Sequence, residues 1–280
     1  MTNRKTIQQI QQKKKNSQKI TMLTAYDYSL ASLVDAAGVD IILVGDSLAN
    51  VVLGLESTTE VGMTEMIHHA KAVNRAVTSA LLIGDMPFDS YQSDSNKAVD
   101  NAKRFIQEAG CNAVKLEWFD QCLEVAEKIA DAGIPVMGHV GLTPQTAEKL
   151  GGFKVQGKDA ESAQKIIEHA KDLQEKGCFS IVLECIPTQI AEMITQELSI
   201  PTIGIGAGPH CDGQVLVTHD ILGLFDRFKP KFVKQYTNLG TSIIEGVQHF
   251  YKEVEEGKFP DALHSYSMNE QERMNLKVRK

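Results

Sequence analysis

The chain runs to 280 residues, 42% hydrophobic and 23% charged, enough to bury a large core and unlike a disordered polymer. Its net charge of -7 argues against a nucleic-acid partner, whose phosphates need a clustered basic surface. No apolar run approaches the ~20 residues that cross a bilayer, and five cysteines without a CxxC pair suggest neither a disulfide framework nor a zinc knuckle, so a soluble protein of a reducing cytosol is expected.

The chain opens on a polar, Gln- and Lys-rich segment, residues 1–19, whose basic run Lys13 to Lys15 reads as a solvated face. Apolar runs of β type then fall near 20–25, 40–45, 80–84, 113–117, 135–140, 180–184, 201–205 and 214–218. Helical periods fill the gaps near 28–37, 64–78, 95–109, 121–132, 159–176 and 188–198. Gly38, Gly110, Gly133 and Gly177 each stand between a helical stretch and the next apolar run, where a left-handed residue ends the helix. Repeated αβ units imply parallel strands with right-handed crossovers, and about eight of them fit a single (β/α)8 TIM barrel over residues 1–280. A doubly wound open sheet is the alternative.

The stretch 142–160, with Pro144, Gly151, Gly152 and Gly157, reads as a loop insertion at the barrel mouth. Beyond about 228 a helical period returns, so a C-terminal helix or two should pack outside the barrel, followed by a polar, frayed tail at 268–280.

Asp46, Asp85, Glu117 and Glu184 each follow a short apolar run, and strand ends in such folds converge on one ligand-binding mouth. By period two, Ile42, Val44 and Asp46 share a face, as do Lys115 and Glu117, Met137 and His139, and Val182 and Glu184. Enclosed carboxylates repel one another unless a cation or proton compensates, and Mg²⁺ suits oxygen ligands while leaving positions for substrate. Taken singly, each acid is equally well a cap or turn residue. Lys115 has a salt-bridge partner as its plain role, and His139 at a strand end is expected to touch substrate. His68 and His69 read as structural or exposed, and His210, Cys211, Asp212 and His219 match no common zinc spacing. The GIGAG stretch at 204–208 suits either a phosphate cradle or close backbone approach.

Eight motifs in order carry a resemblance: MLTAYDY (22–28), GDSLANVVLG (45–54), IGDMPF (83–88), AVKLEW (113–118), GHVGLTPQ (138–145), LECIP (183–187), PTIGIGAG (201–208) and DGQVLVTHDILG (212–223). Together they resemble the ketopantoate hydroxymethyltransferase family. The resemblance implies a (β/α)8 barrel that binds Mg²⁺ and assembles as a homodecamer. It implies hydroxymethyl transfer from 5,10-methylenetetrahydrofolate to 3-methyl-2-oxobutanoate through a Mg-stabilised enolate, yielding 2-dehydropantoate and tetrahydrofolate for pantothenate synthesis. Carried over by residue, it puts Mg²⁺ on Asp46, Asp85 and Glu117, substrate on Asp46, Ser47, Asp85 and Lys115, and the catalytic base at Glu184. Ala49–Asn50 departs from the Gly-Met often found after GDSL. The folate is expected over the mouth, bordered by the 142–160 loop and the GIGAG turn. A Mg-dependent barrel resembling isocitrate lyase or phosphoenolpyruvate mutase is the competing expectation, although Cys122 and Cys211 sit poorly for the lyase's reactive loop cysteine. A non-catalytic scaffold is the other, disfavoured by so many acids kept together.

Overall fold

A computed structural model describes residues 3–146 and 154–278. Eight parallel strands follow one another around a closed ring: β1 (Ile20–Thr24), β2 (Ile41–Val44), β3 (Leu81–Asp85), β4 (Ala113–Lys115), β5 (Val136–Gly141), β6 (Ser180–Glu184), β7 (Thr202–Ile205) and β8 (Gly213–Leu216). Pairing of β1 with β8, Met22 opposite Val215, closes the barrel and removes the open-sheet alternative.

Each strand sorts its residues between two cores. Ile41 and Leu43, with Leu81, Ile83, Met137 and Val182, fill the barrel interior, while Ile42, Val44, Leu82 and Val114 pack against the surrounding helices. Burial on both faces explains why these strands read as continuous apolar runs rather than alternating ones. It also corrects one expectation: Ile42 and Val44 point outward, so Asp46 does not inherit its direction from the strand. β2 stops at Val44, and the turn through Gly45 swings Asp46 into the mouth.

The four helix-ending glycines are left-handed, with φ from +72° at Gly110 to +88° at Gly177. At Gly110 a Cβ would lie 2.5 Å from the Asn74 amide, so any side chain there both strains the backbone and collides.

The N-terminal segment is more structured than its composition suggests. Thr6 and Gln9 form a capping box that starts the helix Ile7–Lys15, and Ile10 is buried in the barrel-interior cluster. Lys13 pairs with buried Asp40 and Lys14 with Asp212 at 2.8 Å. Two of the three lysines are therefore tied to the barrel, and only Lys15 is fully exposed.

Asp35, near the end of helix Tyr28–Ala36, accepts hydrogen bonds from the backbone N–H groups of Thr78, Ser79 and Ala80 and from both hydroxyls. Burial pushes its carboxyl up, but these donors outweigh it and hold the pKa down at about 2, against an ordinary 3.8. A depressed acid stabilises the fold above its unfolded pKa and loses that contribution as pH falls toward the folded value. Asp35→Asn is expected to flatten the acid-unfolding curve between pH 4 and 2 and to cost on the order of 2 kcal/mol at neutral pH, measured by urea titration.

After residue 228 the outcome differs from expectation. The helix Leu239–Glu255 forms, but none of its residues is buried, so it is not packed on the barrel. Leu239, Ile243, Val247, Phe250 and Val254 lie exposed along one stripe. The polar segment beyond 268, where the sequence suggested fraying, carries a further helix, Glu270–Val278. Among the described residues no helix is long and apolar enough to cross a membrane. Residues 147–153 of the 142–160 loop lie outside the described residues.

Candidate active site

Strand geometry delivers the acids to one place. Asp85, Lys115 and Glu184 are the last residues of β3, β4 and β6, His139 lies inside β5, and Glu117 follows β4 by two positions. All five line a single cavity of about 380 Å³ together with Asp46 and Ser47. Every residue that the sequence put forward for the site is in it.

The contacts are charge-assisted and mostly buried. The Lys115 ammonium donates to both oxygens of Asp85, at 2.7 and 2.9 Å, and lies 3.6 Å from Glu117 Oε1. His139 bridges two acids, with Nδ1 3.4 Å from Glu117 Oε1 and Nε2 3.3 Å from Glu184 Oε2. Neither ring nitrogen meets full hydrogen-bond geometry, so the bridge is chiefly electrostatic. Burial drives the imidazole pKa down, but Glu117 and Glu184 outweigh it and raise it to about 9. At neutral pH His139 is therefore an imidazolium. For Glu117, burial raises the pKa, yet Lys115 and His139 hold it below the usual range.

Charge does not balance. With every acid ionised, four carboxylates would face one ammonium and one imidazolium, two negative charges in excess within one cavity. Asp46 answers that excess: burial, then the charges of Asp85 and Glu117, push its carboxyl up to about 8, so without a cation it keeps its proton at neutral pH. A hard divalent cation would let that proton leave and offset the excess charge, and the carboxylate oxygens suit Mg²⁺. Among the described residues nothing hydrogen-bonds Asp46 Oδ1, while Asp85 is held by Lys115. Among the described residues no ready-made cage of three acidic, His or Cys ligands exists, so water and substrate would complete the shell.

Three residues that the sequence reading passed over organise this set. The Gln145 side chain donates to Asp46 Oδ2 at 2.9 Å and to the Met86 carbonyl at 3.1 Å, and its backbone N–H donates to Glu117 Oε2 at 3.0 Å. The Tyr91 hydroxyl donates to Gln145 Oε1. Tyr26 hydrogen-bonds Ser47 at 2.8 Å, and its own carbonyl is 2.7 Å from His69 Nδ1, which gives His69 a structural task. Gln145 sits inside the GHVGLTPQ motif, but a neutral amide carries no charge signal that would have singled it out.

Glu184 is the most accessible of the acids, its side chain 15% exposed. Its carbonyl accepts from Leu142, and the next residue, Cys185, is left-handed at φ +47° with its N–H on Ile205 and its carbonyl on Gln156. Such a strained non-glycine residue fixes the aim of the side chain before it. The GIGAG glycines are explained by close packing: a Cβ at Gly206 would meet Phe232 at 2.8 Å, and one at Gly208 would collide with Thr188. His210, Cys211, Asp212 and His219 do not converge; Asp212 is committed to Lys14 and Thr202, and His219 packs on Tyr26.

A family model described as ketopantoate hydroxymethyltransferase matches residues 4–262. The chain belongs to that family. Proteins named 3-methyl-2-oxobutanoate hydroxymethyltransferase from Syntrophomonas wolfei and Moorella thermoacetica are each 55% identical to it, over 96% and 94% of this chain and 97% and 98% of theirs. Like other ketopantoate hydroxymethyltransferases, it is a transferase enzyme. Its fold extends further: a phosphonopyruvate hydrolase solved with oxalate and Mg²⁺ superposes with a TM-score of 0.59 at 13% identity, over 100% of this chain and 99% of that one. A 2,3-dimethylmalate lyase of the PEP mutase/isocitrate lyase superfamily gives 0.59 at 14%, with the same coverage. At such identity the likeness is one of fold alone, so the mutase and lyase alternative shares this family's architecture.

Proposed function

We propose that the protein transfers a hydroxymethyl group from 5,10-methylenetetrahydrofolate to 3-methyl-2-oxobutanoate, giving 2-dehydropantoate and tetrahydrofolate in the synthesis of pantothenate and coenzyme A. The observation that carries this reading is the convergence of Asp46, Asp85, Glu117 and Glu184 with only Lys115 and His139 to offset them in one cavity. Mg²⁺, held by Asp46 and Asp85 with Glu117 beside them, would act as a Lewis acid toward the keto acid and lower the cost of losing its C3 proton.

The chain's own groups do the rest. Lys115 turns part of its charge from Asp85 to the substrate carboxylate and fixes the acid's orientation, while Asp46 and Ser47 border it. Glu184, reachable from the cavity, removes the C3 proton. His139 hydrogen-bonds the substrate and keeps Glu184 and Glu117 apart without leaving either uncompensated. Water adds to the folate's one-carbon unit, the carbon–nitrogen bond breaks as the nitrogen takes up a proton and tetrahydrofolate leaves, and C3 bonds to the freed carbon, whose oxygen is protonated to become the product hydroxyl. Incubation with Mg²⁺, both substrates and product analysis by mass spectrometry tests the reading: a hydroxymethylated keto acid is expected, and a cleaved or phosphorus-rearranged product would favour the lyase or mutase reading.

Five unpaired cysteines support a cytosolic setting. The bare apolar stripe of helix Leu239–Glu255 supports self-association, a homodecamer by family resemblance. Light scattering is expected to give an oligomer's mass; a monomer at micromolar concentration would refute it.

A further inference from the structure

Glu184 is aimed from its backbone. Among the described residues no side chain gives its carboxylate a full hydrogen bond, and His139 Nε2 stands 3.3 Å away. The peptide that follows it, by contrast, is held by three pieces of chain. Register sets Glu184, the last residue of β6, between Gly141 at the end of β5 and Ile205 at the end of β7. Its carbonyl accepts from the Leu142 N–H, while Cys185 donates to the Ile205 carbonyl and accepts from the Gln156 N–H, each at 2.9 Å. Gly141 and Cys185 are both left-handed, at φ +98° and +47°. A Cβ at Gly141 would collide with the Glu184 carbonyl and lie 2.7 Å from the Ile186 side chain, so β5 reaches this peptide only because a glycine ends it.

Resting on Glu184 as the base proposed above, we infer that Gly141 and Cys185 are positioning residues, which together clamp the Glu184–Cys185 peptide and so fix the direction of the carboxylate. Cys185 acts through its backbone, not its thiol. An extended residue there would continue β6; the left-handed one turns the chain out of the sheet straight after the base, two residues before Pro187 caps the helix Thr188–Glu197. The sulfur packs against the Gly206 turn, where a Cβ would lie 3.2 Å from it. Burial, then the charge of Glu184, raises the thiol to about 12, so it stays protonated and a poor nucleophile at neutral pH. A side chain in this conformation is strained and persists only where its surroundings over-determine it, as the hydrogen bonds to Ile205 and Gln156 do. The strain sits where it decides the aim of a proton acceptor.

Substitutions that differ in their tolerance of a left-handed backbone separate the clamp from the thiol. Cys185→Val, whose branched side chain resists positive φ, is expected to slow exchange of the C3 proton of 3-methyl-2-oxobutanoate in D₂O about 100-fold in the full-length enzyme with Mg²⁺, the loss that a misplacement of ~1 Å brings. Cys185→Gly lacks the thiol but takes that conformation freely, and it should recover exchange to within about threefold of native. Calorimetric binding of the keto acid with Mg²⁺ should change by less than about threefold in both, because the clamp serves proton removal rather than binding. Native-level exchange in Cys185→Val, or a loss of about tenfold or more in a folded Cys185→Gly, would overturn the clamp. So would an equal loss of exchange and of keto acid binding, the mark of general damage to the mouth. Should the valine variant not fold, Gly141→Ala reads the same clamp from β5: exchange about tenfold slower with binding kept supports it, and native-level exchange overturns it. Native-level exchange in Glu184→Gln would instead overturn the base assignment on which the clamp rests.

Discussion

Glu184→Gln is expected to slow exchange of the C3 proton of 3-methyl-2-oxobutanoate in D₂O by about 10²- to 10⁴-fold, the usual worth of a positioned general base. The reaction needs only Mg²⁺ and the keto acid, so it separates proton removal from one-carbon transfer. Glutamine preserves volume and keeps an oxygen beside His139 Nε2, which lies 3.3 Å from Glu184 Oε2. It cannot take a proton. Exchange followed by NMR should therefore fall while keto acid binding changes little. Native-level exchange in the variant would move the base elsewhere, and no exchange in the native protein would overturn proton removal before one-carbon transfer.

Gln145→Ala is expected to weaken Mg²⁺ binding by about 10- to 100-fold, the scale on which outer partners of metal ligands act. Its side chain alone joins Asp46, the Met86 carbonyl and the Tyr91 hydroxyl inside the protein, so truncation leaves three buried groups short of a partner. A stability loss of roughly 2–4 kcal/mol should accompany it. A purely structural role would lower stability and leave metal affinity unmoved, so calorimetric titration of Mg²⁺ at a temperature where the variant is folded distinguishes the two. Gln145→Glu offers a second readout, since a carboxylate beside Asp46 adds repulsion to a site already short of positive charge.

How far the letters reached can be judged from single positions. Gly38, Gly110, Gly133 and Gly177 marked helix ends because a left-handed residue is a local requirement, and all four have positive φ. Lys115, Met137, His139, Val182 and Glu184 follow strand alternation, and the structure puts Met137 and Val182 in the barrel interior and His139 and Glu184 above it. Asp46 reached the same cavity by a route that alternation does not describe, since the strand ends two residues earlier. The Lys13–Lys15 run looked solvated because composition does not reveal partners, and Asp40 and Asp212 come from elsewhere in the chain.

The sequence by itself determined the order of strands and helices, the acids at strand ends and the family, because each is written in neighbouring residues: apolar runs, capping glycines, short motifs. Only the tertiary structure decided that the sheet closes, that Gln145 and Tyr91 lock Asp46 and Glu117 in place, that Asp220 shares their cavity and that the helix Leu239–Glu255 stands clear of the barrel. Those outcomes depend on distances between residues up to two hundred positions apart, which no local pattern encodes until the barrel brings its strand ends together.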